Sequence, residues 1–186
     1  MNNRLLGFTI IELMVVITII GMLAAVLAVN FNSARAESRD KVRQNTLQEM
    51  QIAIELYKTQ YGVYPVPGCG VGYDSGSPQW VGSETYPNYP SVKSCPDNYI
   101  VGLAPNFISE LPSEVGPGPA DKGYVYASNG DAYKLMSHYN VEVALVESHD
   151  DNFSRYMTTC SGAKGNSIPE GEKYVYAVYS AGAECW

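Results

Sequence analysis

The sequence predicts an α+β chain, with one long N-terminal helix carrying a small antiparallel β head braced by disulfides. Three observations predict it. Phe8–Val29 is an almost unbroken apolar run, and about 20 such residues in a helix cover the hydrocarbon core of a bilayer. Between Gly21 and Gly62 there is no Gly or Pro to interrupt a helix. Beyond that point short runs rich in Tyr and Val alternate around turn residues, and all four cysteines, Cys69, Cys95, Cys160 and Cys185, lie there.

Residues 1–7, MNNRLLG, form a short, weakly basic leader. The apolar run 8–29 that follows holds one carboxylate, Glu12. A charge within a membrane helix costs roughly 2.5–3.5 kcal/mol on insertion scales and so asks for a role. Two ordinary readings compete. One is a secretory signal peptide, for which Ala34-Arg35-Ala36 imitates a cleavage site, although the run is too long for an h-region. The other is a plain membrane anchor, which has no use for Glu12. Residues 30–62 continue the helix out of the apolar part. Leu47, Met50, Ile54, Tyr57 and Tyr61 recur at three- and four-residue spacing and form one stripe for the head to pack on. Ile52 and Leu56 fall outside that stripe. They are either ordinary apolar residues on a wet face or contacts for a neighbouring molecule. The cluster Arg35, Arg39, Lys41 and Arg43 is either a solvated face or a charge partner for a packed helix. Gly62 and Pro65 close the helix.

Gly7-Phe8-Thr9-Ile10-Ile11-Glu12-Leu13, following a short leader and preceding an apolar helix, resembles the prepilin (class III) signal of type IV pilins and type II secretion pseudopilins. Tyr61-Gly62-Val63-Tyr64-Pro65 is similar to the helix ending frequent in that family. So, more weakly, is Leu111-Pro112 followed by Gly123-Tyr124-Val125-Tyr126. The resemblance implies a type IV pilin-like fold. It also implies cleavage by a prepilin peptidase between Gly7 and Phe8 and N-methylation of Phe8. Glu12 then serves assembly, as a register device that meets the new amine of a neighbouring subunit. The physics agrees: opposite charges within about 4–6 Å favour each other's ionised forms, and an unpaired buried charge is strongly unfavourable. A Glu12 facing other helices without an amine is the bland alternative. Gly21 matches a glycine common in the family. Many pilins have a proline near the end of the apolar segment, and Val29 stands in its place here. The proline break that the family has there is therefore absent from this sequence.

Residues 63–186 form the head. Val66 to about Ser94 reads as loop, and Gly68-Cys69-Gly70 is no nucleotide fingerprint because no strand leads in and no helix follows. Tyr99–Leu111 is expected to be a short strand or a turn of helix. Tyr124–Ala127 and Ala132–Met136 flank Ser128-Asn129-Gly130-Asp131, a hairpin signal. Val141–Val146 reads as a third strand or short helix, 149–171 as polar loop, and Lys173–Ala181 as a last strand. The cysteines allow three connectivities. The expected one is Cys69–Cys95 with Cys160–Cys185, each pair bracketing a Gly/Pro-rich loop, in an oxidising compartment.

After Tyr61 the acids outnumber the bases 14 to 6. That balance argues against general nucleic-acid binding, which needs Lys and Arg to displace counterions. No hydrolase elbow, zincin motif or Walker sequence occurs, and His138 and His149 stand alone. No enzyme is expected. Without a C-x-x-C pair a zinc site is not expected either. Asp150-Asp151-Asn152 offers oxygens of the kind calcium takes, without EF-hand spacing. Some pseudopilin heads hold calcium, so a calcium site in the head loops stands beside the reading of a solvated loop, and no other cofactor is expected.

The expected function is a structural subunit of a type IV pilus-like filament, with a type II secretion pseudopilin as the alternative. A membrane-anchored extracytoplasmic binding module is the alternative from another class. The partners implied are further copies and related minor pilins, the prepilin peptidase, an inner-membrane assembly platform and the membrane. The location implied is the inner membrane with the head outside the cytoplasm, then a periplasmic or extracellular filament.

Overall fold

The computed structural model describes residues 7–71, 79–83, 98–114, 122–157, 159–160 and 168–186, without the side chains of 26–30. One helix, α1 (Ile10–Tyr61), runs for 52 residues, about 78 Å at 1.5 Å per residue. No proline interrupts it, and it passes Val29 unbroken. Gly62 ends it at φ 80°, donating its N–H to the Lys58 carbonyl at 2.7 Å. Only a residue without Cβ adopts that left-handed cap cheaply. No helix among the described residues is long and apolar enough to cross a membrane. The apolar run of the sequence does continue through residues 26–29.

The head is a four-stranded antiparallel sheet in the order β1 (Val81–Gly82), β2 (Gly123–Ser128), β3 (Tyr133–His138), β4 (Tyr176–Tyr179). β2 and β3 form the expected hairpin, with Ser128 opposite Tyr133. Asn129 shapes its loop by accepting the N–H groups of Asp131 and Ala132, and Gly130 takes φ 87°. Alternation sends Tyr124, Tyr126, Tyr133, Leu135, Tyr176 and Val178 toward the helix, where Leu47, Met50, Ala53 and Ile54 meet them. The stripe read from the sequence is buried at Leu47, Met50 and Ile54, half-buried at Tyr57 and exposed at Tyr61. Val125, Met136, Val175 and Ala177 make a smaller cluster with Trp80 and Tyr179.

Four expectations change. The loop-like stretch 66–94 contributes an edge strand, β1, which pairs Val81 with Tyr126. Tyr99–Leu111 is neither strand nor helix; it makes a single bridge, Ile100 to Pro67, followed by turns. Val141–Val146 has no regular structure. Its amides are directed elsewhere: those of 142–144 to the Asp40 carboxylate, those of Val141 and Val146 to the carbonyls of Tyr174 and Lys173. Those last two bonds also shorten the final strand. Glu170–Tyr174 is a 3-10 helix, and extended pairing starts only at Tyr176.

Cys160 and Cys185 are disulfide-bonded, with Cα atoms 5.2 Å apart. Cys69 is disulfide-bonded as well, and Cys95, its expected partner, lies outside the described residues.

Candidate functional site: the helix start and the rod–head clamp

At its start, α1 is closed by a capping box. The Glu12 N–H donates to Thr9 Oγ1 at 3.2 Å, while the Glu12 carboxylate accepts the Thr9 N–H at 2.9 Å and the Thr9 hydroxyl at 2.8 Å. Two amides left open at a helix start are thereby satisfied reciprocally. The spacing Thr-x-x-Glu is the signal by which sequence alone points to this cap. Glu12 is thus held by its own helix start and not left unpartnered. It sits four residues from Phe8, which is 92% exposed. Ile10, Ile11, Leu13 and Met14 are exposed around it, so no described residue covers this end.

The second constellation lies where the rod meets the head. Asp40 is fully buried, and it accepts the consecutive N–H groups of Glu142 (3.0 Å), Val143 (2.8 Å) and Ala144 (3.0 Å). Arg43 Nη1 donates to Asp40 at 2.8 Å and to Glu142 at 3.0 Å, and its Nη2 donates to Glu114 at 2.6 Å. Arg39 forms a two-pronged pair with Glu142 at 2.7 and 2.6 Å. Asn140 donates to Glu114 at 2.8 Å, and the Ser137 hydroxyl donates to the Asn140 side-chain oxygen. Hydrogen bonding to Arg39 holds the Glu142 carboxyl down at about 2, against a smaller opposing effect of burial. Burial opposes the charge on Arg43, but its bonds to Glu114, Glu142 and Asp40 outweigh that and raise it. Breaking such a network by removing one charge leaves the others buried and unpaired. The chemistry is that of a joint, with no reacting group in it.

The basic cluster therefore divides. Arg39 and Arg43 serve the clamp, while Arg35 and Lys41 are exposed. The sequence reading allowed a solvated face or pairing between helices. For Arg39 and Arg43 the partners are instead head carboxylates of the same chain, 71 to 103 residues away.

On the outer face of the sheet Lys134 is fully buried, and burial pushes its ammonium down to about 7. Its Nζ donates to the carbonyls of Glu184 and Trp186, both at 3.0 Å, beside the rings of Tyr156 and Tyr179. It hooks the same terminal segment that the Cys160–Cys185 bond ties down. His138 is buried against Tyr139, and His149 is buried in the loop before β4. No group of three or more His, Cys, Asp or Glu among the described residues is placed to hold a metal ion.

Against known proteins, residues 3–28 match the family described as "Prokaryotic N-terminal methylation motif". The chain is similar to type II secretion system core protein G of Vibrio cholerae serotype O1, at 29% identity over 67% of this chain and 72% of that protein. It is also similar to core protein G of Escherichia coli, at 26% identity over 70% of this chain and 79% of that protein. No solved structure matches. The chain thus carries the N-terminal methylation motif on a pilin-like α+β fold and is distantly similar to type II secretion system core protein G.

Proposed function

We propose that this chain is a pseudopilin-type subunit of a type II secretion apparatus, cut after Gly7, methylated at Phe8 and assembled through its N-terminal helix. The observation that carries the reading is the similarity to core protein G, which spans two thirds of the chain and reaches well past the helix start. The sequence alone leaned to a pilus subunit; the relatives favour the secretion alternative.

In this reading the apolar half of α1 holds the precursor in the inner membrane with its head outside. Subunits leave the lipid because their apolar helices bury against one another as well as against lipid tails. The Thr9–Glu12 cap keeps the Glu12 carboxylate beside the helix start, where the amine of a mature Phe8, its own or a neighbour's, neutralises it. A pilus subunit is the second reading, favoured by the full length of the helix and the disulfide-bonded head.

The test combines three measurements, on the wild type, a point variant and a deletion. Mass spectrometry is expected to find a mature chain beginning at N-methyl-Phe8; one beginning at Glu37 would instead mark a secretory signal. Glu12→Leu is expected to insert and be cut normally while losing incorporation into assembled material. Deletion of the gene is expected to abolish export of secreted enzymes and leave surface pili intact. The reverse pattern supports the pilus reading.

A further inference from the structure

Between the loop before β4, the β4 strand and α1 lies a cleft of about 350 Å³, with His149, Asp150, Asp151, Tyr179 and Gln51 in its walls. The His149 ring is only 5% exposed. Its Nδ1 faces the Tyr156 carbonyl at 3.2 Å. A carbonyl only accepts, so Nδ1 carries a proton, and in the neutral ring Nε2 is then an acceptor. That Nε2 is buried and has no hydrogen-bond partner. Asp151 accepts the Phe153 N–H at 2.9 Å, whereas no described residue donates to the Asp150 carboxylate. A buried lone pair beside two carboxylates calls for a ligand that is cationic and rich in N–H donors.

Gln51 also lines an open groove on α1 with Ile52 and Leu56, and these two are 62% and 52% exposed. The acidic cleft and the apolar groove therefore meet at Gln51. The complementary surface is on the same chain, lower on the rod. Phe31, Arg35 and Val42 are four and seven residues apart and share one helix face. Phe31 and Val42 are 59% and 60% exposed. The Arg35 guanidinium lies over the Phe31 ring at 4.6 Å and has no ion-pair partner among the described residues.

We propose that the occupant is a second copy of this chain: Arg35 of one copy enters the His149–Asp150–Asp151 cleft of the next, which brings Val42 about level with Leu56. A guanidinium brings five N–H donors in a planar fork, enough for Nε2 and the carboxylates together. Arg35 lies about 24 Å below Gln51 along the helix, so the second copy is raised by about that distance. The two surfaces differ and each copy carries both, so the contact is head-to-tail and continues without closing. The inference rests on the assembly reading above.

The test uses the full-length chain in its native membrane. A protein carrying Arg35→Cys and Asp150→Cys, oxidised in membranes, is expected to give a ladder of cross-linked multimers, absent from either single variant. Arg35→Glu is expected to reduce assembled material about tenfold or more, with Arg35→Lys milder and Asp150→Arg with Asp151→Arg restoring it to within about threefold. Arg35 has no bond to a described head residue, so its variants are expected to fold; the Asp150 and Asp151 variants are checked for a retained Cys160–Cys185 bond by non-reducing mass mapping before assembly is scored. No ladder, together with normal assembly of Arg35→Glu, overturns the contact and leaves the assembly reading intact. A ladder from a chain whose deletion affects neither secretion nor filaments upholds the contact and removes that reading.

Discussion

Asp40 carries more of the rod–head joint than any other side chain, since three consecutive head amides and one guanidinium N–H converge on its carboxylate. Asp40→Ala leaves those amides and Arg43 without their acceptor. Thermal or denaturant unfolding of the head is expected to show a loss of about 3–5 kcal/mol. The same joint sets an acid limit. Glu142 is held at about 2 in the folded chain, below its ordinary 4.5, so its contribution is complete above about 4.5 and is lost as pH falls toward 2. Glu142→Gln is expected to flatten that limb of the stability curve. None of this was legible in the sequence. Arg39 and Arg43 announce charge, but the carboxylates that meet them stand far along the chain, and only the fold brings them together. The end of the helix was different: Gly7, Phe8 and Glu12 lie within a few residues, and the methylation motif reads directly from their order.

At the level of elements, legibility followed the range of the forces. The helix and the Asn129-Gly130 hairpin are set by local periodicity and turn chemistry, and both were read correctly. The segment 141–146 was misread because its amides answer to Asp40 on another element, which no local pattern reveals. β1 was missed because two residues are too few for a period. The turn before it has a requirement of its own. A Cβ on Gly68 would stand 1.9 Å from the Asn98 carbonyl oxygen, next to the Pro67–Ile100 bridge. Gly68→Ala is expected to cost roughly 1–3 kcal/mol as the two loops are pushed apart, read as a lower Tm with the α1 helical signal retained.

The whole molecule is a long rod with an acidic head bolted to its upper half and an apolar stub below. That division was legible from composition alone; how the head is closed was not. Its terminal segment is tied twice, by Cys160–Cys185 and by the buried Lys134 reaching the carbonyls of Glu184 and Trp186. Nothing in the alternating pattern of β3 marks its lysine as buried. The disulfide closes a loop of sequence separation 25, for which the chain-entropy relation gives about 3.5 kcal/mol. Replacing both Cys160 and Cys185 by Ser is expected to lower head stability by about that amount. Peptide mapping under non-reducing conditions checks the pairing, and a Cys69–Cys185 link would overturn it.

The grip on Asp40 has one further consequence. It is made by main-chain amides, and every amino acid except proline supplies one. The joint therefore places almost no demand on which side chain stands at exposed Val143. A lineage can rewrite the chemistry of that exposed rim by single mutations while the rod keeps hold of it. One handle can serve differently surfaced heads, provided the carboxylates that meet Arg39 and Arg43 are kept.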